Sequence, residues 1–170
     1  MRCPSAHRLW NPVAVKEHRA EVLDLGLKWD AGAPMPMLIA GARRAVVLCY
    51  ESLATGEEEH VIEISFEGCS NVQMGHPNDE VLHGHPLWGR GLSLYEAHVV
   101  HNSPWLEEHR RINSVHDYHS DATWERLHHY LLAFHDEVVE ALASDISARR
   151  VSGDMVAESL RAAAELAAER

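Results

Sequence analysis

Residues 60–68, HVIEISFEG, constrain the fold more than any other segment of the chain. Ile62, Ile64 and Phe66 alternate with polar residues at the period of two that belongs to a β-strand. One face of such a strand is expected to lie on a core and the other to face water, as is common in antiparallel sheets. The segment therefore predicts an antiparallel sheet with one solvated face.

Further strands and a short internal helix follow from local patterns. Residues 38–52, LIAGARRAVVLCYES, carry two short apolar runs around Gly41, which predicts a hairpin or a bent strand. Residues 94–102, LYEAHVVHN, predict another strand. Ser103 as N-cap and Pro104 at the first helical position then predict a helix that ends near Ile112.

The C-terminal segment, residues 152–170, predicts a terminal helix. Asp154 can cap it, and Val156, Leu160, Ala163 and Ala167 fall on one stripe at helical spacing. We expect the helix to pack on the rest of the protein through this thin, alanine-rich stripe.

Length and composition favour one domain spanning residues 1–170. No apolar run reaches the roughly 20 residues that cross a bilayer, and the N-terminus lacks the apolar stretch of about 7 or more residues that a secretory signal needs. These features predict a cytoplasmic protein with no membrane partner. Cys3, Cys49 and Cys69 are odd in number and widely spaced, which predicts reduced thiols.

The formal charge of −11 restricts the partners. It repels phosphate backbones and anionic lipids, so nucleic acid is not an expected partner. A small molecule or a basic protein is compatible with the charge. The sequence leaves the oligomeric state open.

Residues 121–146, DATWERLHHYLLAFHDEVVEALASDI, have two readings. Apolar side chains recur at helical spacing behind an Asp121 cap, while Tyr130, Leu132 and Phe134 also alternate at strand spacing. Periodicity favours the helix slightly. The residues at helical spacing are Trp124, Leu127, Leu131, Phe134, Val138 and Leu142.

A resemblance bears on this ambiguity. The string GHPL at 84–87, then GL and Tyr95, NSPW at 102–105, Asn113, and HYLLAFHDE with Glu140 resembles small bacterial proteins of unknown function. The likeness covers residues 60–143, implies no activity, and implies a β-hairpin over residues 129–143 that turns near Asp136 and Glu137. This sequence departs from that pattern in having leucine, alanine and valine where stronger strand formers would settle the matter, which keeps the helix open as an alternative.

Histidine is concentrated in one region, since 11 of the 14 histidines lie between residues 76 and 135. The loop GHPNDEVLHGHPL, residues 75–87, contains an HxH pair. In an extended chain His83 and His85 would project to the same side and reach one metal ion. Imidazole and carboxylate suit Zn, Fe, Ni, Mn or Cu. The alternative is that a loop of this kind is merely polar and solvated.

Further ligands would have to come from the same loop or from neighbouring strands. The candidate metal-ligating residues are His83, His85, His76, His98 and His101, with Asp79, Glu80 and His135 as further donors. We therefore predict a site for a transition metal ion, in the first place Zn, Fe, Ni or Cu. Any activity would then be metal-assisted chemistry on a small molecule.

A second candidate site lies at FHDE, residues 134–137. His135 beside Asp136 is a candidate acid-base pair, because a carboxylate next to an imidazole fixes its tautomer and raises its basicity. The simpler alternative is a tight turn in which Asp136 bonds its own backbone. No GxSxG nucleophile motif, phosphate-binding loop or GxGxxG motif is present.

The sequence thus predicts an α+β fold: a single compact domain, mainly antiparallel β as a sheet or small sandwich, with a short internal helix and a C-terminal helix. The leading functional hypothesis is a histidine-bound metal in a binding domain or small enzyme. The alternatives are a metal-free acidic module that binds a protein, of the inhibitor or immunity kind, and a cofactorless acid-base enzyme.

Overall fold

The computed structural model describes residues 17–52 and 60–169. Residues 61–67 form a strand, and this strand and eight others make up two antiparallel sheets. The strands are β1 (Arg19–Leu23), β2 (Met37–Ala40), β3 (Arg44–Tyr50), β4 (Val61–Glu67), β5 (Asn71–Gly75), β6 (Ala97–His101), β7 (His128–Ala133), β8 (Val138–Ala143) and β9 (Asp145–Val151). The helices are α1 (Pro104–Asn113), α2 (Asp121–Trp124) and α3 (Met155–Ala168), with a 3-10 helix at Asp79–Gly84. Residues 1–16 lie outside the described residues. They include Cys3 and the N-terminal segment in which no secretory signal was predicted.

The two sheets pack face to face as a small sandwich. One has five strands in the order β1-β6-β7-β8-β5, and the other has four in the order β2-β3-β4-β9. The core between them holds Ile62, Ile64 and Phe66, as their alternation predicts, together with Tyr130 and Leu132 of β7. The predicted α+β class and compact single domain are confirmed. Cys49 and Cys69 are free thiols, also as predicted.

The prediction that the other face of β4 meets water is wrong. Glu63 on that face is only 2% exposed, because α3 covers this side of the four-stranded sheet. Its carboxylate accepts hydrogen bonds from the guanidinium groups of Arg149 and Arg161, and Arg44 lies within 3.7 Å. A carboxylate is tolerated at this depth because several cations and hydrogen bonds replace its hydration.

The C-terminal helix is confirmed, but its predicted packing face is wrong. Val156 and Leu160 are each 69% exposed. The helix packs instead through a stripe one position away, which includes Met155, Ala162 and Leu166. Small Ala162 lets the helix approach the sheet, while the two larger side chains fill the space at its ends. Among the described residues, no helix has the length and apolar character needed to cross a membrane.

Residues 128–143 form a hairpin, so the helical reading of this segment is wrong beyond the single turn of α2. β7 and β8 pair in the register Ala133 to Val138, and the Phe134 N–H donates to the Glu137 carbonyl at 3.0 Å across the turn. Pairing with β6 on one side and β5 on the other outweighs the helical preference of leucine and alanine.

The loop before β6 covers the outer face of the five-stranded sheet. Leu82, Leu87 and Leu92 pack there against residues that include Leu131 and Val138. Gly and Pro residues predict an irregular segment, yet part of it forms the 3-10 helix. Two histidines lie near the ends of β7: His129 near the start of the strand and His135 just after its end.

Candidate active site

Three side chains on the outer face form a hydrogen-bonded chain. Ser103 lies between β6 and α1, His129 in β7, and Glu140 in β8, diagonal to His129 across the strand pair. Ser103 Oγ is 2.8 Å from His129 Nδ1, and His129 Nε2 is 3.1 Å from Glu140 Oε2. The sheet register therefore brings together a hydroxyl, an imidazole and a carboxylate.

The direction of these hydrogen bonds follows from the donors available. An ionised Glu140 only accepts, so His129 Nε2 carries the hydrogen and Nδ1 accepts from the Ser103 hydroxyl. The pKa of Glu140 lies below its usual value. Burial acts to raise it, but the hydrogen bond and charge of His129, aided by His85 and a hydrogen bond from Gln73, outweigh that effect. The carboxylate thus stays charged beside the imidazole.

The row of hydrogen-bonded side chains from Glu140 through His129 to Ser103 ends at the wall of a cavity. Ser103 is 6% exposed and His129 is 5% exposed, and both line an open cavity of about 520 Å³. Trp105 meets the His129 ring edge-on at a centroid distance of 5.1 Å, which fixes the plane of the imidazole. The remaining lining residues are His18, Val99, Val100, His101, Asn102, Pro104, Leu106, Glu107, Leu127 and His128.

The backbone around Ser103 makes a sharp turn from strand to helix. Asn102 adopts a left-handed conformation with φ 53°, which asparagine tolerates better than most residues. Ser103 then caps α1, and its Oγ also accepts the Leu106 N–H at 3.1 Å. Ser103 itself has an extended backbone, with φ −61° and ψ 119°, so the left-handed conformation lies one residue before it.

The first turn of α1 contains a backbone N–H, that of Trp105, to which the described residues offer no acceptor. Pro104 has no N–H, the Leu106 N–H bonds Ser103 Oγ, and the Glu107 N–H bonds the Ser103 carbonyl. The Glu107 bond is the first ordinary bond within the helix, so the N–H of Trp105 stands before it, and among residues 17–52 and 60–169 no group accepts from it. The positive end of the helix dipole lies at the same place.

A second cluster surrounds His135, at the other end of the outer face. His135 Nδ1 lies 2.8 Å from Asp79 Oδ2 without an aligned hydrogen bond, and Tyr95 donates its hydroxyl hydrogen to the same carboxylate. The Tyr95 hydrogen bond, with the charge of His135, lowers the pKa of Asp79. Within the described chain, the carboxylate that contacts His135 is Asp79 rather than the predicted Asp136. A catalytic role for His135 and Asp136 stays a prediction.

The predicted metal ligands have different hydrogen-bond partners. His83 Nδ1 is 3.0 Å from the Glu80 carbonyl at the surface, whereas His85 accepts the Leu87 N–H. The argument that both project to one side of an extended chain is wrong, because His83 lies in the 3-10 helix. Burial lowers the pKa of His85, which lies near Glu140.

The other three histidines have different surroundings. His98 is fully buried and accepts the Ser93 N–H, His101 pairs with Glu21 at 3.0 Å, and His76 precedes a cis proline. Over residues 17–52 and 60–169, no group of three or more His, Cys, Asp or Glu side chains is arranged to hold a metal ion. Metal ligation by these residues stays a prediction.

Comparison with known proteins adds no assignment: no protein-family model, curated protein or solved structure matches the chain. The sequence pattern identified Ser103 only as a helix cap, and Glu140 only within the resemblance. One local signal was available, namely an asparagine and a serine placed directly between a strand and a helix. The candidate site therefore rests on its geometry.

Proposed function

We propose that the chain is an acyl-transfer enzyme, in the first place a hydrolase of a small ester or amide, with Ser103 as the nucleophile. The observation that supports this is the set of hydrogen bonds from Ser103 through His129 to Glu140, here called the relay, at the wall of the 520 Å³ cavity. A serine whose hydroxyl donates to an imidazole held by a carboxylate is the arrangement that activates serine for nucleophilic attack.

The chemistry follows from the hydrogen-bond directions. Ser103 Oγ attacks the carbonyl carbon of the substrate while its proton passes to His129 Nδ1. The imidazolium that forms is stabilised by the charged Glu140 carboxylate. His129 Nδ1 then returns the proton to the leaving group, which leaves an ester on Ser103. Water, deprotonated by the same nitrogen, then attacks the carbonyl carbon of this ester. The bond to Ser103 Oγ breaks, His129 Nδ1 returns the proton to Oγ, and the acid is released.

The start of α1 supplies the electrostatic part of the proposal. Negative charge develops on the carbonyl oxygen during attack and needs a hydrogen-bond donor nearby. The Trp105 N–H and the positive end of the α1 dipole are the groups we assign to this role. The residue directly after Ser103 is Pro104, which has no N–H. The donor that we assign is therefore the N–H of the next residue, Trp105.

Ester hydrolysis with matched variants tests the proposal. Ser103→Asn keeps a good helix cap but removes the nucleophile, and His129→Gln removes the base. We expect both variants to lose at least about a thousandfold in kcat/KM on p-nitrophenyl esters while remaining folded by circular dichroism. His116→Gln, which removes an exposed histidine, controls for hydrolysis by free imidazole groups.

The outcome depends on comparing these variants. If His116→Gln loses as much activity as His129→Gln, or if Ser103→Asn retains wild-type activity, Ser103 is not the nucleophile. Wild-type protein without activity on any ester or amide of a broad panel contradicts the proposal as well.

The other functional hypotheses stay predictions. Elemental analysis of protein purified without an immobilised-metal column, with a His83→Ala/His85→Ala double variant, tests the transition metal. A basic protein partner and a cytoplasmic location are also untested. Cofactorless acid-base catalysis by His135 predicts an activity that is lost in His135→Gln and kept in Ser103→Asn.

A further inference from the structure

A second cavity, of about 320 Å³, lies on the other side of Leu127 from the Ser103 cavity. It is bounded by the turn before β3, by the connection between β4 and β5, and by the segment from the end of α1 to α2. Its lining residues besides Leu127 are Ala42, Arg43, Gly68, Cys69, Ser70, Asn113, Tyr118, Ser120, Thr123 and Trp124.

Among the described residues that line this cavity, Arg43 is the only charged one. In the part of the chain that the structure describes, no ion pair involves its guanidinium group. The neighbouring Arg44 differs completely, since it pairs with Glu67 and Glu169. The net charge of −11 opposes anions over most of the surface, but the local positive charge of Arg43, which has no carboxylate partner among the described residues, favours an anionic ligand in this cavity.

Asn113 supplies a second oriented donor. Its Oδ1 accepts the indole N–H of Trp124 at 3.1 Å and lies 2.8 Å from His119 Nδ1. The indole nitrogen can only donate, so this contact fixes which end of the amide is the oxygen. Among the described residues the Nδ2 group, with its two hydrogens, has no acceptor, and Asn113 is one of the residues that line the cavity.

The remaining walls combine aromatic rings with hydroxyl groups. Tyr118 and Trp124 both line the cavity, and aromatic faces pack well against a flat ligand. Ser120 stands at the N-cap of α2 but makes no capping hydrogen bond with its side chain, so its hydroxyl is not used by the helix. Thr123 adds a second hydroxyl to the lining.

We propose that this cavity binds a small planar carboxylate, in the first place an aromatic carboxylate. The planar guanidinium of Arg43 matches a carboxylate through two parallel hydrogen bonds. The Asn113 amide donates to the same group, and the Trp124 and Tyr118 rings hold the flat body of the ligand. The proposal stands independently of the function proposed for Ser103.

Ligand-observed NMR with benzoate as the probe tests this site at low ionic strength. Wild-type protein binds benzoate, while benzamide, which has the same shape without the charge, binds at least about tenfold more weakly. Arg43→Gln weakens benzoate binding about tenfold or more. Arg111→Gln removes the same charge from α1 outside the cavity and changes the affinity less than about twofold.

A further variant separates the site from a diffuse charge effect. Asn113→Asp keeps an acceptor for the Trp124 indole but places a negative charge beside the ligand, and we expect it to abolish benzoate binding. Circular dichroism spectra establish that each variant is folded. The proposal is overturned if wild-type protein does not bind benzoate at about 10 mM, a concentration that detects millimolar affinity. Equal affinity for benzamide, or equal weakening by Arg111→Gln, overturns it too.

Discussion

Replacing Glu140 by glutamine removes the charge of the relay and keeps its shape. In the structure Glu140 Oε2 accepts from His129 Nε2 at 3.1 Å, in a site where His129 is buried. A hydrogen bond to a charged group stabilises a protein by about 1.5–3 kcal/mol and a neutral one by about 0.5–1.5 kcal/mol. The exchange therefore costs about 1–1.5 kcal/mol, which the easier burial of a neutral amide partly offsets. We expect the free energy of unfolding to change by about 1 kcal/mol or less.

Activity should respond far more strongly than stability. Without the carboxylate, the imidazolium formed during attack has no counter-charge, and kcat/KM should fall by about 10³–10⁴. Urea unfolding at pH 7 and ester hydrolysis measure the two effects on the same preparation. Glu137→Gln, in the turn of the same hairpin, controls for the loss of one carboxylate. A fall of less than about tenfold for Glu140→Gln, or an equal fall for Glu137→Gln, refutes the reasoning.

Three further results are expected. The pKa of Glu140 in the folded protein lies below the unfolded value of about 4.3. The ionised carboxylate therefore stabilises the fold above that pH, and this stabilisation is lost as the pH falls through the folded pKa. The unfolding free energy of Glu140→Gln should accordingly fall less steeply with decreasing pH below about pH 4 than that of the wild type. Gly91→Ala should destabilise more than Gly89→Ala in urea unfolding, since both have positive φ but only at Gly91 does a Cβ meet the Ala20 carbonyl oxygen at 2.0 Å; an equal loss contradicts this. Ser103→Ala should lose about 2–4 kcal/mol of unfolding free energy, because it removes both the cap of α1 and the buried hydrogen bond to His129. Ser103→Asn, which can still cap the helix, should lose less, and an equal loss in the two variants contradicts the capping role.

The strands were predictable where burial on one face forces alternation. Ile62, Ile64 and Phe66 must all reach the core between the sheets, so their spacing records the strand directly. The sequence around Ser103 was equally informative, because the N-cap and the proline at the next position act locally. Both predictions depend only on residues that are close together in the chain.

The second layer of packing was not predictable in the same way. Glu63 is polar in a strand and was expected in water, but α3 and its arginine cover it from almost 100 residues away. Val156 and Leu160 formed the more apolar stripe of α3, yet the stripe beside it packs on the sheet. Which face is covered depends on how distant elements meet, and alternation within a segment does not record it.

The candidate site was missed for the same reason. Ser103 and His129 lie 26 positions apart, and His129 and Glu140 lie 11 apart on neighbouring strands. Only the register of β7 against β8 brings the last two together, and that register belongs to a segment with two competing readings. The many histidines around residues 76–135 favoured His83 and His85 as site residues. Residues that are close in the sequence can be recognised from the sequence alone, whereas residues that only the fold brings together cannot.

Covalent labelling of Ser103 tests the proposed function most directly. Wild-type protein is incubated with a fluorophosphonate probe, and the modified residue is located by mass spectrometry of its peptides, beside Ser103→Asn and His129→Gln. An activated nucleophile predicts one adduct, on Ser103, which is lost in Ser103→Asn and strongly slowed in His129→Gln. Absence of an adduct on the wild-type protein, or an adduct on Ser103 that forms at the same rate without His129, contradicts the relay as a catalytic device.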